Sequence, residues 1–330
     1  MAKEVLRLGG PLVVVDYDFR NDSDQDVTTE VAFPVPAYEN EYPEGASTDV
    51  LAFRSFKLWV NEKPVDYQMQ AKATLKDKDV TAELEASHID IATLGHLEEV
   101  TDAASVTHQI ARDYNHLPKP AREKLVHEGL FEPMDRSAIP KWTVHLQYHW
   151  TQTFPRHATM HIRHEYKPVV GSQNMSLGDV QAFAKGKPDA PLDKDSEEFY
   201  SRKILSSFCL DDPTLRAMTG RFHSSSDSQD KTDADAQENY FLAPQWIDFI
   251  LTTANTWKQP IEDFTLIIER PKASEGQQEL ISFCTPGKVE KMDAEHFRVH
   301  LSGFVPKGEL HIGFFGVPSA KASHIRQRNK

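Results

Sequence analysis

Trp142-Thr143-Val144-His145-Leu146-Gln147-Tyr148-His149-Trp150 is the stretch on which the fold of this chain turns. Apolar and polar side chains alternate through it without a break. Successive side chains of a strand point to opposite faces, so Trp142, Val144, Leu146, Tyr148 and Trp150 share one face, and Thr143, His145, Gln147 and His149 the other. After a turn near Phe154-Pro155-Arg156 a second run places Met160, Ile162, His164 and Tyr166 inward and His161, Arg163 and Glu165 outward. The two runs are expected to pair as a hairpin whose aromatic face packs on strands nearer the N-terminus.

Those earlier strands are legible in the same way. Val13, Val15, Tyr17 and Phe19 alternate with Val14, Asp16, Asp18 and Arg20, and the polar cluster Asn21–Asp24 reads as a turn. Val27–Phe33 is a second strand, stopped by Pro34 and Pro36, which cannot donate to a ladder. Phe53–Val60 and Val65–Thr74 complete an expected antiparallel meander. From Val80 the period changes. Leu84, Ile91 and Leu94 lie near one helical face, Thr81 can cap its start, and Ala121–Leu130 reads as a short helix ending beside Gly129. Residues 80–136 are therefore expected as a helical insertion. Beyond the second run, Phe183–Ser196 is rich in Lys, Asp and Pro, and 176–196 is expected as a linker. Glu197–Ser207 reads as a helix, and Ser224–Glu238 as a polar disordered loop. Trp246–Thr252, Phe264–Glu269, Leu280–Cys284, His296–Leu301 and Leu310–Phe315 are short strands.

The expected fold class is mainly β (α+β). An antiparallel, sandwich-like domain over 1–175 carries the helical insertion. A smaller antiparallel β unit over 197–318 contains a disordered loop at 223–239, and 319–330 is a tail.

Composition narrows function. The 330 residues carry a formal net charge of −13, with no basic cluster before the tail Lys321–Lys330, which argues against nucleic acid and anionic lipid. No apolar run approaches the ~18 residues of a membrane span, and Leu12–Val15 is too short for a signal-peptide core. That leaves a cytosolic and an exported protein both open. There are two cysteines, Cys209 and Cys284, too few for a four-cysteine zinc site. On residue chemistry alone they read as two separate buried thiols, with a bond between them as the alternative.

Several segments resemble a known family. Asp26-Val27-Thr28-Thr29-Glu30-Val31-Ala32-Phe33-Pro34-Val35-Pro36 is similar to a hallmark of the bacterial domain of unknown function 4424 family. So are Tyr148–Pro155 and His164–Gly171. Cys209-Leu210-Asp211-Asp212, Ile250–Trp257 and Ile281-Ser282-Phe283-Cys284 are similar to three more. The matches run in order along most of the chain. The resemblance implies no established activity and transfers no catalytic residue. It implies a periplasmic or secreted location, although this chain starts just ahead of its first strand, where members typically carry a signal and a short β segment. It also implies a Cys209–Cys284 disulfide, which an oxidising compartment would preserve.

Candidate chemistry is sparse. His161-Ile162-Arg163-His164-Glu165 is not a zinc-protease motif, which needs two histidines sharing one helical face. A hairpin centred near Pro155 would set His149 opposite His161 and His145 opposite Glu165, close enough for a divalent ion. The simpler reading is a solvated polar face. His164, inward among Tyr148, Trp150 and Tyr166, reads as a buried, hydrogen-bonded histidine, with ligand contact by His164 and Tyr166 as the alternative. Trp246 and Trp257, near loops, read as core or as the lining of a carbohydrate or peptide groove. The carboxylate pairs Asp211-Asp212 and Glu262-Asp263 read as turn or helix-start residues. No Gly-x-Ser-x-Gly elbow or phosphate loop occurs, and no cofactor is expected. The favoured reading is a non-catalytic envelope protein that binds a protein or glycan. The alternatives are a hydrolase or transferase acting on envelope material, and a metal-binding module.

Overall fold

Period-two alternation buries one side of nearly every strand, and two such sheets must cover each other. A computed structural model shows how. It describes all residues except 11, 40–54, 92–112, 135–136, 169, 187, 189–190, 194–195, 226–239, 272–278, 317–318 and 321–330. In chain order, β1 (Lys3–Leu8), β2 (Val13–Asn21), β3 (Val27–Pro34), β4 (Lys57–Val60) and β5 (Gln68–Leu75) precede helices α1 (Thr81–Ala86) and α2 (Lys119–His127). Next come β6 (Thr143–Phe154), β7 (Ala158–Tyr166) and β8 (Val170–Ser172), then helices α3 (Leu177–Ala184), α4 (Glu197–Ser206) and α5 (Asp212–Ser225). The chain continues through β9 (Gln245–Phe249), β10 (Ile261–Glu269), β11 (Leu280–Phe283), β12 (His296–Phe304) and β13 (Leu310–Phe315). The protein is mainly β with several antiparallel sheets, as expected.

The largest sheet runs β12–β10–β1–β2–β7–β4, with the short strands Glu290–Lys291 and Lys63–Pro64 at its two edges. The facing sheet runs β3–β6–β5, and Lys78–Asp79 forms its far edge. β6 and β7 are therefore not a hairpin. β6 pairs with β3 and β5, whereas β7 pairs with β2 and β4. The connection crosses from one sheet to the other, and so does the connection from β2 to β3. The two crossings hold each other. Asn21 Nδ2 donates to the Phe154 carbonyl at 2.9 Å, the Arg156 amide donates to Asp26 Oδ1 at 2.8 Å, and His157 Nε2 lies 3.0 Å from Asp24 Oδ1. The inward residues are those expected, because a hairpin and a crossing bury the same alternate positions.

The expected second β unit is divided. β10 pairs in parallel with β1, Glu4 opposite Phe264 and Leu6 opposite Leu266, and β12 pairs with β10, so these two strands extend the large sheet. β8, β9, β13 and β11 form a four-stranded sheet. One side of this sheet, with Ile247, Phe249 and Ile312, joins the main core. Its other side carries Phe315 and packs under α3–α5 with Met175, Phe208, Met218 and Phe222. α3 lies inside the stretch expected as a linker. Ser176 accepts from the Asp179 amide at 3.2 Å while Asp179 accepts from the Ser176 amide at 2.8 Å, a reciprocal cap that starts the helix.

The helical insertion at 80–136 contains α1 and α2, with 92–112 outside the described residues. Thr81 does not cap α1. Its hydroxyl accepts from the Ala73 amide, and Asp79 accepts from the Thr81 amide at 2.9 Å instead. Of the expected disordered loop at 223–239, 223–225 belong to α5 and 226–239 lie outside the described residues. In the tail, Ser319–Ala320 pairs with Tyr240–Phe241.

Candidate functional site

β1 alternates in the same sense as its neighbours, so Glu4, Leu6 and Leu8 point into the sandwich while Lys3 and Arg7 point out. Glu4 is opposite Tyr17, and Tyr17 opposite Ile162; one row on, Leu6, Val15 and His164 are aligned. An acid is thus set two strands from a histidine, with Tyr17 between them. The Tyr17 and His164 rings lie 5.4 Å apart. From the opposite sheet, Phe33 approaches His164 to 4.1 Å.

Glu4, Tyr17, Ile162, His164 and Phe33 line a cavity of about 460 Å³ between the sheets, at the edge formed by β3. Glu4, Tyr17 and Phe19 form one wall, and the run Thr29–Pro34 of β3 with Trp150 the other. Ile250–Leu251 and the turn of 3₁₀ helix Thr252–Thr256, with Trp257, close one side. Trp257 packs against Phe19 at 4.5 Å. Glu4 is only 2% exposed and His164 1%. Burial pushes the Glu4 carboxyl up to about 8 and the His164 imidazole down to about 3, so both groups are held mainly uncharged near neutrality.

Both ring nitrogens of His164, and Nε1 of Trp150, are buried without a hydrogen-bond partner. The hydrogen bond expected for a structural His164 is therefore missing. Buried polar atoms are paired in the great majority of cases, and leaving one unpaired costs about 1–3 kcal/mol. Three such atoms on two residues lining one cavity mark that cavity as the candidate site.

The other sequence candidates fall elsewhere. Tyr166 is buried 6.3 Å from the His164 ring, its hydroxyl also without a partner, but it is not part of the cavity wall. Trp257 lines the cavity; Trp246 does not. Trp246 lies over Gly171, where a Cβ would overlap the indole, and packs toward Phe208. His145, His149, His161 and Glu165 are split between the two sheets. On the facing sheet, His145 Nε2 lies 2.8 Å from Thr74 Oγ1, and His149 pairs with Glu30 at 2.6 Å. On the outer face of the large sheet, His161 lies 3.0 Å from Asp18, and Glu165 is 3.4 Å from Lys57 and 3.5 Å from Arg163. The juxtaposition that would have shared an ion depended on a hairpin register that does not form. Among the described residues no group of three or more potential ligands could hold a metal. Cys209 and Cys284 are bonded to each other. The carboxylate pairs are structural: Asp211 accepts from the Thr214 amide at 2.8 Å, Glu262 binds Arg20 at 2.7 Å, and Asp263 lies 3.0 Å from His300.

No expectation from sequence fell on Glu4. A signal was present, since Leu6 and Leu8 at the same parity put Glu4 on an apolar face.

The family described as Domain of unknown function (DUF4424) matches residues 1–312, including β1 with Glu4 and every strand that lines the cavity. This chain belongs to the DUF4424 family. No curated protein matches the DUF4424 chain. A crystal structure described as a "putative nutrient binding protein" from Legionella pneumophila subsp. pneumophila aligns over 95% of this chain and 66% of its own, at 14% identity and a TM-score of 0.40. The DUF4424 chain thus spans just under two thirds of that protein, and a likeness at this level bears on neither ligand nor mechanism. No helix among the described residues is long and apolar enough to cross a membrane.

Proposed function

We propose that this DUF4424 protein is a non-catalytic binding module of the cell envelope, and that its ligand site is the cavity between the sheets beside β3. The observation that carries this reading is His164: fully buried, uncharged, lining the cavity, and unpartnered at both ring nitrogens. A ligand that supplied a partner to the imidazole would gain a hydrogen bond inside a water-poor cavity, where such bonds count most. A cavity of this size accepts a small molecule or one projecting group of a larger one, so the protein or glycan partner expected from sequence would present such a group. The Cys209–Cys284 bond supports the envelope location, because cytosolic thiols are kept reduced. No specific observation favours a hydrolase or transferase, and both cysteines that a thiol nucleophile would draw on are joined.

The test is a fragment screen read by thermal shift and by tryptophan fluorescence. Trp150 and Trp257 line the cavity, so true ligands should change their emission and raise Tm. His164→Leu should weaken those ligands at least ten-fold with the fold intact by circular dichroism. Hits that survive both His164→Leu and Trp257→Leu unchanged would place binding elsewhere and overturn the proposal.

A further inference from the structure

The cavity wall carries two carboxyls, Glu4 and Glu30, and no lysine or arginine. Glu30 is paired with His149 at 2.6 Å, and the Met1 ammonium, also in the wall, is set against Glu262 and Asp22, which leaves Glu4 as the acid without a counter-charge. Glu4 is buried, and no lysine or arginine forms an ion pair with it among the described residues. Burying a carboxyl without a cation is costly, and cavities are more cheaply lined by amides or apolar side chains. The same cavity is lined by the rings of Tyr17, Phe19, Phe33, Trp150 and Trp257, with Tyr17 directly across the strand pair from Glu4. Aromatic faces carry negative charge density and attract cations, most strongly where water is excluded. An acid inside an aromatic wall is thus complementary to one positive charge on an organic skeleton. The neutral imidazole of His164 adds a hydrogen-bond acceptor, and Trp150 N–H a donor for an oxygen on the same ligand.

Resting on the cavity reading above, we infer that the ligand is a small alkylammonium cation, its charge beside Glu4 and its carbon skeleton against the aromatic wall. Specificity then comes from the carboxylate and the rings together. Burial alone holds Glu4 protonated near neutrality, and a cation beside it favours the carboxylate; an uncharged ligand of the same shape gains nothing from that ionisation.

The experiment titrates the full chain by calorimetry with choline, tetramethylammonium and n-butylammonium, and with 3,3-dimethylbutan-1-ol, the uncharged carbon analogue of choline. The buffer is free of amines and held above the Glu4 value, so that the carboxylate is available. At least one cation is expected to bind at least ten-fold more tightly than the alcohol, quench tryptophan emission, and lose that preference in Glu4→Gln. Trp257→Leu, which leaves Glu4 in place, should weaken the same cation several-fold. Equal or tighter binding of the alcohol, competing with fragments at Trp257, would overturn the inference while leaving the cavity as the ligand site. Failure of all three cations while fragments still bind through His164 would overturn it as well. Loss of fragment binding too would remove the cavity reading beneath it.

Discussion

Two fully buried ionisable residues each give stability a pH-dependent limb. Glu4 is raised from an ordinary value of 4.5 to about 8, so between those values the folded protein holds a proton that the unfolded chain has released. Stability therefore falls as pH rises through that window. His164 is lowered from 6.5 to about 3, so the unfolded chain holds the extra proton and stability falls as pH drops through that window. Each slope is about 1.4 kcal/mol per pH unit at full effect. They oppose each other between 4.5 and 6.5, where a plateau is expected. Urea titrations of Glu4→Gln should keep the acid limb and flatten the alkaline one, leaving the smaller share of Glu279 and His311, which are also raised; an alkaline limb as steep as in the parent protein would contradict the burial of an unpaired Glu4. Local sequence puts both residues on inward faces but does not give their partners. His164 reads as inward from parity alone. That its nitrogens would lack partners depends on side chains from the facing sheet, Phe33 above all.

At the scale of elements, alternation reports faces and not partners. β6 and β7 bury the residues that parity assigns to them, yet they stand in opposite sheets. The turn residues explain the choice. Asn21, Asp24 and Asp26 bind the backbone or side chains of Phe154, Arg156 and His157, which stacks one sheet-to-sheet crossing on the other. Because of that topology His149 and His161 occupy different sheets, each beside its own carboxylate. The double substitution His149→Ala, His161→Ala is thus expected to leave zinc affinity unchanged in calorimetry. A loss of ten-fold or more would show that they share an ion after all. The ion pairs on the large sheet's outer face, such as Arg298–Glu290 and Arg20–Glu262, are exposed and add little stability individually. α3 escaped the sequence reading because eight residues with one buried valine give almost no helical period; its capping box at Ser176 and Asp179 was the available signal.

For the whole molecule, the deciding contacts join distant parts of the chain. β1 completes its pairing only with β10, some 260 residues on, in parallel. Gly9, with φ of +96°, ends β1 where a Cβ would overlap the Glu269 carbonyl, so this turn depends on glycine. Cys209, after α4, is tied to Cys284, after β11, which fastens the helical layer to the four-stranded sheet. The bond spans 75 residues. On the chain-entropy model a loop of that length contributes about 4 kcal/mol, so Cys209→Ser with Cys284→Ser should lower denaturant stability by that order. A change under about 1 kcal/mol, together with two alkylatable thiols in the native protein, would show that the bond is absent there. Legible in the amino-acid order alone were the β class, the inward parity of His164 and Tyr166, the helix after Ser196, and a family resemblance that the match over 1–312 supports. Those properties are local, written in periods of two or 3.6 residues and in short motifs. The two stacked crossings, the parallel pairing of β1 with β10, and the cavity lined by both Glu4 and His164 came from tertiary packing. Those depend on which strand lies beside which, and the spacing of apolar residues along one strand carries no record of its neighbour.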